Sequence, residues 1–228
     1  TPMPTARHSA LVAAVNDQLY VIGGNDGVTG ALGTVERYDP NTDTWTTLAS
    51  LPSIRYQGTV AVKGDDIYVI GGWNFPITAI PTNTVQIYNT VTNTWSTGPG
   101  LPSLHGGGLA GVLGGNIYAH GPENGFSGYS SAFHALEGSS WNAKSSVPVP
   151  HASGASGVHN GKLFLASGLG NSGVHAQVDV YDPVGNSWST LTAGPTLRTA
   201  VASGVFGDHL LIAGGGNPSS ATLSTFDA

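Results

Sequence analysis

Glycine pairs that close apolar runs recur along this 228-residue chain at an almost constant interval. The intact pairs are Gly23-Gly24, Gly71-Gly72 and Gly214-Gly215, and two altered copies, His120-Gly121 and Ser167-Gly168, fill the gap between them. The second members stand at 24, 72, 121, 168 and 215, in steps of 48, 49, 47 and 47 residues. A repeat of this length predicts a propeller, in which each repeat forms one blade of four strands.

Aromatic residues follow the same interval. A tryptophan recurs at the same place in each of the first four repeats, and a second ring residue stands seven positions before it. The tryptophans are Trp45, Trp95, Trp141 and Trp188, the preceding residues are Tyr38, Tyr88, His134 and Tyr181, and Phe226 holds that place in the fifth repeat. We expect these side chains to supply bulk between the wide outer parts of neighbouring blades.

The first repeat shows how each blade is divided. Its turn residues separate four predicted strands, namely Ser9–Val15, Leu19–Gly23, Thr34–Tyr38 and Thr44–Leu48. The first strand of every repeat is rich in Ala, Gly and Val, which suits strands that crowd around a central axis. No segment has a helical period.

Composition narrows the class of protein. Charged residues make up 9% of the chain, 34 residues are Gly, and the formal net charge is −6. The sequence has no basic stripe that would favour nucleic-acid binding, and no apolar run is long enough to span a bilayer. Cysteine is absent, which excludes disulfides and thiolate chemistry. Abundant Gly, Ser, Thr and Asn with little Lys favours a secreted or cell-surface protein, with the cytoplasm left open.

Gly-Gly, the spaced Tyr and Trp, and Pro-x-x-Arg before the first strand together resemble the kelch repeat. The resemblance implies an all-β, kelch-type β-propeller with about five four-stranded antiparallel blades. It also implies that first strands line a central channel and that fourth strands lie on the outer rim. We expect one domain over 1–228, with repeats at about 4–50, 51–100, 101–147, 148–194 and 195–228.

The fifth repeat is predicted to lack its outer strand, because it reaches Phe226-Asp227-Ala228 without a tryptophan strand. Two expectations stay open: a five-bladed ring with one incomplete blade, which we favour, and a segment of a larger propeller. An open fifth blade also predicts self-association through its unpaired edge.

Known catalytic and ligand motifs are weak here. Gly106–Gly111 and Gly168–Gly173 match Gly-x-Gly-x-x-Gly, but neither precedes a predicted helix, so a nucleotide is not expected. Asp39-x-Asn41-x-Asp43 opens like a calcium loop but lacks the required Gly and Glu, and we interpret it as a turn. The family includes a copper radical oxidase whose site needs a cysteine, which this chain lacks. We therefore predict no cofactor, no metal and no catalytic residue.

One position is basic in all five repeats, just before the first strand. We call it the basic position, and it comprises Arg7, Arg55, His105, His151 and Arg198. In a closed ring these side chains would surround the channel mouth and attract an anionic group. The alternative is structural: the side chains hydrogen-bond loop carbonyls and hold adjacent blades together. Predicted contributors from neighbouring positions and from the loops after the glycine pairs are His8, Tyr56, Trp73, Asn74 and Glu123.

The leading functional hypothesis is a non-catalytic binding module that takes a protein segment or glycan with an acidic group on its loop face. Two alternatives remain. One is an exported enzyme resembling the kelch sialic acid mutarotase, with His105, His151 and Glu123 as acid–base candidates. The other is a structural unit of a larger surface protein. His120, which replaces a repeat glycine, is interpreted as ordinary drift or as a side chain that shapes a pocket.

Overall fold

The computed structural model describes residues 1–75, 77, 80–122, 128–191, 194, 196–217 and 226–227. Throughout these residues the regular elements are β-strands, arranged in five antiparallel sheets that follow the order of the repeats. The chain divides into two compact units, residues 1–106 and residues 107–228. No helix in the described part of the chain is long and apolar enough to cross a membrane.

Unit 1 contains two four-stranded meanders. Each strand pairs with the next along the chain, so the sheet order equals the sequence order. In both sheets the first strand alternates small or branched apolar residues with exposed or half-buried ones, which buries one face against the neighbouring sheet. Sheet 1 has β1 (Leu11–Val15), β2 (Gln18–Ile22), β3 (Val35–Asp39) and β4 (Thr44–Thr47), and sheet 2 has β5 (Thr59–Lys63), β6 (Asp66–Ile70), β7 (Val85–Asn89) and β8 (Thr94–Gly98).

Unit 2 contains two further four-stranded meanders and a smaller fifth sheet. Within the described residues the fifth sheet has three strands, and its third has only two residues. Sheet 3 has β9 (Leu109–Leu113), β10 (Asn116–His120), β11 (Phe133–Glu137) and β12 (Ser140–Ala143); sheet 4 has β13 (Ala155–His159), β14 (Lys162–Gly170), β15 (Gly173–Asp182) and β16 (Ser187–Leu191); sheet 5 has β17 (Ala202–Phe206), β18 (His209–Ala213) and β19 (Phe226–Asp227).

The glycine pairs are required by backbone conformation and by close approach. Gly71 and Gly72 have φ of 63° and 93°, which is the left-handed region that favours glycine. A Cβ on Gly71 would also collide with the backbone of His105. In the fourth repeat Ser167 adopts the same conformation, with φ of 55°. It forms a β-bulge, after which β14 and β15 continue as a tight hairpin.

The repeated Tyr and Trp do more than fill space, because they hold the segment that links one blade to the next. Tyr88 donates a hydrogen bond of 2.7 Å to Asn93 Oδ1, which also accepts the backbone N–H of Ala49 at 2.9 Å. Trp95 Nε1 donates to the carbonyl of Ala49 at 2.9 Å. Burial raises the pKa of Tyr88 to about 12, so its hydroxyl stays protonated and donates. We call this arrangement the linker clamp.

The linker clamp recurs in the fourth repeat. Tyr181 donates to Asn186 Oδ1 at 2.8 Å, and Asn186 accepts the backbone N–H of Ser145 at 3.0 Å. Trp188 Nε1 donates to the Ser145 carbonyl at 2.8 Å. The asparagine stands two residues before the tryptophan in both repeats and has positive φ, 55° at Asn93 and 45° at Asn186.

Neighbouring sheets interlock through a second repeated contact. On one sheet the middle residue of the first strand is small and forms a socket. Into it fit two residues of the next sheet, one from its first strand and one from its second strand, which form a knob. A Cβ on Gly157 of β13 would lie 2.5 Å from Val205 and 2.7 Å from Leu210 of sheet 5. Gly111 of β9 receives Val158 and Leu163 of sheet 4, each 2.7 Å from such a Cβ.

Unit 1 has the same interlock. Ala13 of β1 and Ile67 of β6 belong to one buried cluster, against which Val62 packs. The described socket residue is therefore Ala in sheet 1 and Gly in sheets 3 and 4.

Candidate functional site

The basic position of the first repeat is an ion pair removed from solvent. Arg7 Nη1 donates to the carbonyls of Gly23 and Thr34 at 3.1 and 3.0 Å, and Nη2 bonds the carboxylate of Glu36. The side chains of Arg7 and Glu36 are 0% and 2% exposed. Burial lowers the pKa of Arg7, and the charge of Glu36 opposes that shift.

Arg55 and His105, the other two members in unit 1, are also buried. Arg55 Nη1 donates to Ser53 Oγ and the Ile54 carbonyl at 2.8 Å each, and Nη2 donates to Thr84 Oγ1 at 2.6 Å. Burial lowers the pKa of Arg55 to about 10, so it remains a cation at neutral pH. The carbonyl of His105 accepts the N–H of Gly72 at 2.7 Å.

In unit 2 the basic position is occupied by His151 and Arg198, and both are fully buried. Arg198 Nη1 donates to the Gly214 carbonyl at 3.1 Å, and its own carbonyl accepts the N–H of Gly168 at 2.8 Å. His151 Nε2 lies 3.0 Å from the carboxylate of Asp179. Asp179 and Glu36 occupy the same place in the third strand of their repeats, two residues before the repeated tyrosine position.

All five side chains of the basic position are therefore buried, and those of Arg7, Arg55, His151 and Arg198 bond backbone carbonyls or side chains of their own repeat. Contacts between repeats run through the backbone at this position, since the carbonyls of Arg55, His105 and Arg198 accept N–H groups of the preceding repeat. The role of these residues in ligand binding stays a prediction, as does the enzyme alternative that used His105 and His151.

The other predicted site residues lie in the loops of unit 1, with one exception. His8 is exposed and pairs through its backbone with Asn25, at 2.9 Å in both directions. Tyr56 pairs in the same way with Trp73, and Trp73, Asn74 and Tyr56 are half-buried. The exception is Glu123, which lies outside the described residues.

An exposed apolar surface, which sequence reasoning located only in part, is formed by the loops after the two glycine pairs of unit 1. The two loops touch, because the N–H of Ala31 donates to the Phe75 carbonyl at 2.8 Å. We call the exposed apolar residues of these loops the loop surface; they are Val28, Phe75, Ile77 and Ile80, exposed by 89%, 52%, 65% and 37%.

The first of these loops is held rigid by Asp26. Its carboxylate accepts the N–H groups of Val28, Thr29 and Gly30 at 2.8 to 3.0 Å and the hydroxyl of Thr29 at 2.7 Å. The Thr29 hydroxyl and these amides hold the pKa of Asp26 far below its usual range. Asp26 is thus occupied within its own turn, and the turn presents Val28 to solvent in a fixed conformation.

A buried group of polar side chains in unit 2 connects sheets 3 and 4. We call it the histidine cluster; it comprises His120, His151, His175 and Asp179. His120 Nε2 accepts the backbone N–H of His151 at 3.2 Å, and the rings of His151 and His175 meet edge to face at 4.8 Å. His175 Nε2 donates to the Pro150 carbonyl at 2.9 Å.

Hydrogen-bond donors and acceptors determine where the protons of this cluster lie. His151 Nδ1 must donate to the Ser167 carbonyl, at 2.7 Å, because a carbonyl only accepts. Asp179 accepts from Gln177 and Thr190 as well as facing His151 Nε2, as expected of an ionised carboxylate. His151 Nδ1 thus bonds a backbone carbonyl while its Nε2 faces the carboxylate of Asp179.

His120 is neutral in the same arrangement. Its Nδ1 donates to the Ala132 carbonyl at 2.9 Å, which leaves Nε2 as the acceptor for His151. Burial lowers the pKa of His120 to about 3, so it stays neutral near pH 7. Burial alone would raise the pKa of Asp179, but hydrogen bonds from His151, Thr190 and Gln177 lower it below its usual range.

Within the described residues, no group of three or more His, Asp or Glu side chains is arranged to hold a metal ion. His120, His151 and Asp179 are hydrogen-bonded to one another, to backbone carbonyls or to neighbouring side chains. His120 is 0% exposed, and its Nε2 bonds the backbone of His151 in the segment that precedes β13.

Comparison with known proteins places the chain among kelch-repeat proteins. The family model of the KLHDC2/KLHL20/DRC7 Kelch-repeats domain matches residues 1–137. Because that match covers more than half of the chain, the chain belongs to the kelch-repeat family. The all-β fold with four-stranded antiparallel blades, predicted from the repeats, is confirmed.

Two similar proteins illustrate the relationship. Beta-scruin of Limulus polyphemus is 39% identical over 49 residues, which make up 22% of this chain and 5% of that protein. A solved structure described as "Structure of YjhT" superposes with a TM-score of 0.79 at 21% identity, over 93% of this chain and 73% of that chain. At this identity the second likeness establishes the fold alone.

Proposed function

We propose that this chain is a protein-binding kelch module that recognises an apolar segment of its partner through the loop surface of unit 1. The observation that carries the proposal is the exposure of Val28, Phe75, Ile77 and Ile80 on two loops that contact each other. The kelch propeller fold is typical of protein-interaction domains, and this agrees with a binding role.

The energetics favour recognition at this surface. Exposed apolar residues are ordinary when they are single, but a group on adjoining loops is typical of an interaction site. Because Asp26 already holds the turn that carries Val28, binding there loses little loop entropy. A phenylalanine beside branched aliphatic residues can act as an anchor that a partner covers.

The chemistry of the surface favours an uncharged partner segment over an acidic one. The basic position that suggested an acidic peptide is buried. Asp26 is the only charged residue in 24–34, its carboxylate is occupied within its turn, and 73–81 contains no charged residue. We therefore expect affinity that depends little on ionic strength, since no exposed charge pair has to be screened.

Selection of peptides from a random display library on the intact chain tests this proposal. We expect enriched peptides with two or more apolar or aromatic side chains. Their affinity should fall at least about tenfold in Val28→Asp and Phe75→Asp, because each change places a charge where apolar surface is to be buried. Val184→Asp is the matched control, since Val184 is 96% exposed and lies in a turn of unit 2.

Binding is measured by fluorescence anisotropy at low and high salt. Peptides that bind the loop-surface variants and the wild type equally would contradict the proposal. Enrichment of acidic peptides whose affinity falls steeply as the salt concentration rises would instead support an anion-binding site. A glycan array on the same variants covers the carbohydrate alternative: a glycan that binds through Tyr56 or Trp73 would replace the apolar peptide as the ligand.

A further inference from the structure

The interlock between sheets has two halves, and each described interlock joins the socket of one sheet to the knob of the next. Sockets are the middle residues of first strands, such as Gly111 and Gly157, and they are filled by Val158 with Leu163 and by Val205 with Leu210. A sheet that has no neighbour on its socket side, or none on its knob side, should therefore display one half unfilled.

Sheet 5 displays an unfilled socket. Gly204 is the residue of β17 that corresponds to Gly157 of β13, and a Cβ placed on Gly204 would meet no atom within 4 Å. The surrounding strand is exposed along its whole length, and Phe206 is 76% exposed. By contrast, the first strands of sheets 3 and 4 are buried or half-buried.

Sheet 1 displays an unfilled knob. Ala14 and Leu19 occupy the positions of Val158 and Leu163, and both are exposed, Leu19 by 37%. Val12, on the same face of β1, is 50% exposed. The other face of β1 is buried against sheet 2, so the exposure is confined to the side where a socket would fit.

We propose that two copies of this chain associate head to tail, with the knob of sheet 1 in one copy filling the socket of sheet 5 in the other. Each copy carries both halves of a contact that the fold already uses between its own sheets. The partner surface is therefore defined: a small aliphatic residue and a leucine, spaced as Ala14 and Leu19 are. Both halves are apolar and free of charge, so the contact buries no unpaired ion.

Such a contact is heterologous, because the two copies contribute different surfaces. A second copy bound through its knob still displays a free socket, so further copies add until the assembly closes into a ring or extends as an open chain. This behaviour separates the proposed contact from a two-fold interface.

Sedimentation velocity over a wide range of protein concentration tests the proposal. We expect the weight-average sedimentation coefficient of the wild type to rise with concentration. It should be constant and monomeric for Gly204→Lys, which fills the socket with a charged side chain, and for Leu19→Lys, which places a charge on the knob. Val91→Lys is the control, because Val91 is 73% exposed and belongs to neither half.

A mixing experiment makes the test specific. Gly204→Lys retains a normal knob and Leu19→Lys retains a normal socket, so the two variants together should form a dimer and nothing larger. Circular dichroism of each variant verifies that the fold persists. A wild type that stays monomeric at every concentration would overturn the proposal, and so would self-association that both variants retain or an equimolar mixture that shows no dimer.

Discussion

Asparagine in the turn before the tryptophan shows how much a single residue contributes to this fold. Asn93 satisfies three requirements together: it adopts positive φ, accepts the Tyr88 hydroxyl and accepts the N–H of the preceding linker. Few other residues tolerate the left-handed conformation and also carry a side-chain acceptor. The sequence repeats reveal the Tyr and Trp, but the asparagine between them looked like any turn residue.

Replacing Asn93 separates these contributions. Asn93→Gly keeps the backbone conformation but removes both hydrogen bonds, and should lower the free energy of unfolding by about 1–3 kcal/mol. Asn93→Ala should cost about 1 kcal/mol more, because alanine is strained at this φ. Urea denaturation followed by tryptophan fluorescence provides the measurement.

Asn16→Gly is the control for the clamp, because Asn16 also has positive φ, 50°, but lies in an exposed hairpin turn. In the Asn16→Gly variant the free energy of unfolding should change by less than about 0.5 kcal/mol. Equal effects at Asn16 and Asn93 would show that backbone conformation alone, and not the clamp, explains the asparagine.

At the scale of the elements, first strands are matched to the sheet that follows them. Gly157 is required by contact and not by conformation, since its φ is not in the left-handed region. Sequence analysis predicted small residues in the first strands from crowding around an axis. It did not identify which residue forms a socket, because that depends on which side chains of the next repeat reach it.

The socket predicts different outcomes for the same substitution in neighbouring repeats. Gly157→Leu should lower the free energy of unfolding by about 1–3 kcal/mol, because the added side chain overlaps Val205 and Leu210. Gly204→Leu should be neutral within about 0.5 kcal/mol, because nothing lies within 4 Å of the added Cβ. Thermal unfolding at low protein concentration measures the stability of both variants. A large loss of stability in Gly204→Leu would show that the socket of sheet 5 is filled in solution.

On the scale of the whole molecule, the repeats are alike in backbone but unlike in their buried charges. Arg7 pairs with Glu36 in unit 1, whereas His151 with Asp179 occupies the equivalent place in unit 2. The histidine cluster therefore makes the stability of unit 2 depend on pH. His175 of this cluster and His134 are both partly buried, and burial lowers their pKa values.

The direction of the pH dependence follows from His120. Its pKa is about 3 in the folded chain and about 6.5 when unfolded, so the unfolded chain binds the additional proton as pH falls. The stability that neutral His120 contributes is complete above about pH 6.5 and is lost toward about pH 3, by up to about 1.4 kcal/mol per pH unit. The lowered pKa of Asp179 adds a further loss below about pH 4.

His120→Gln should reduce this dependence, because glutamine keeps a donor and an acceptor but does not titrate. Urea midpoints measured between about pH 7 and about pH 5 should fall less steeply in His120→Gln than in the wild type. His209→Gln is the control, since His209 is exposed. An unchanged slope in His120→Gln would show that another group controls acid stability.

The sequence by itself determined the repeat, its four-strand division and the family, because turn glycines and spaced aromatic residues are local requirements of each blade. It also identified the basic position, since all five members stand at one place in the repeat. Tertiary structure decided where the side chains of that position lie. Whether an arginine faces solvent or a carbonyl depends on the neighbouring strand and on the next repeat, as the bonds of Arg7 to Thr34 and of Gly24 to the Arg55 carbonyl show. The exposed loop surface and the unfilled socket were decided in the same way, because exposure is a property of what surrounds a side chain and not of the side chain itself.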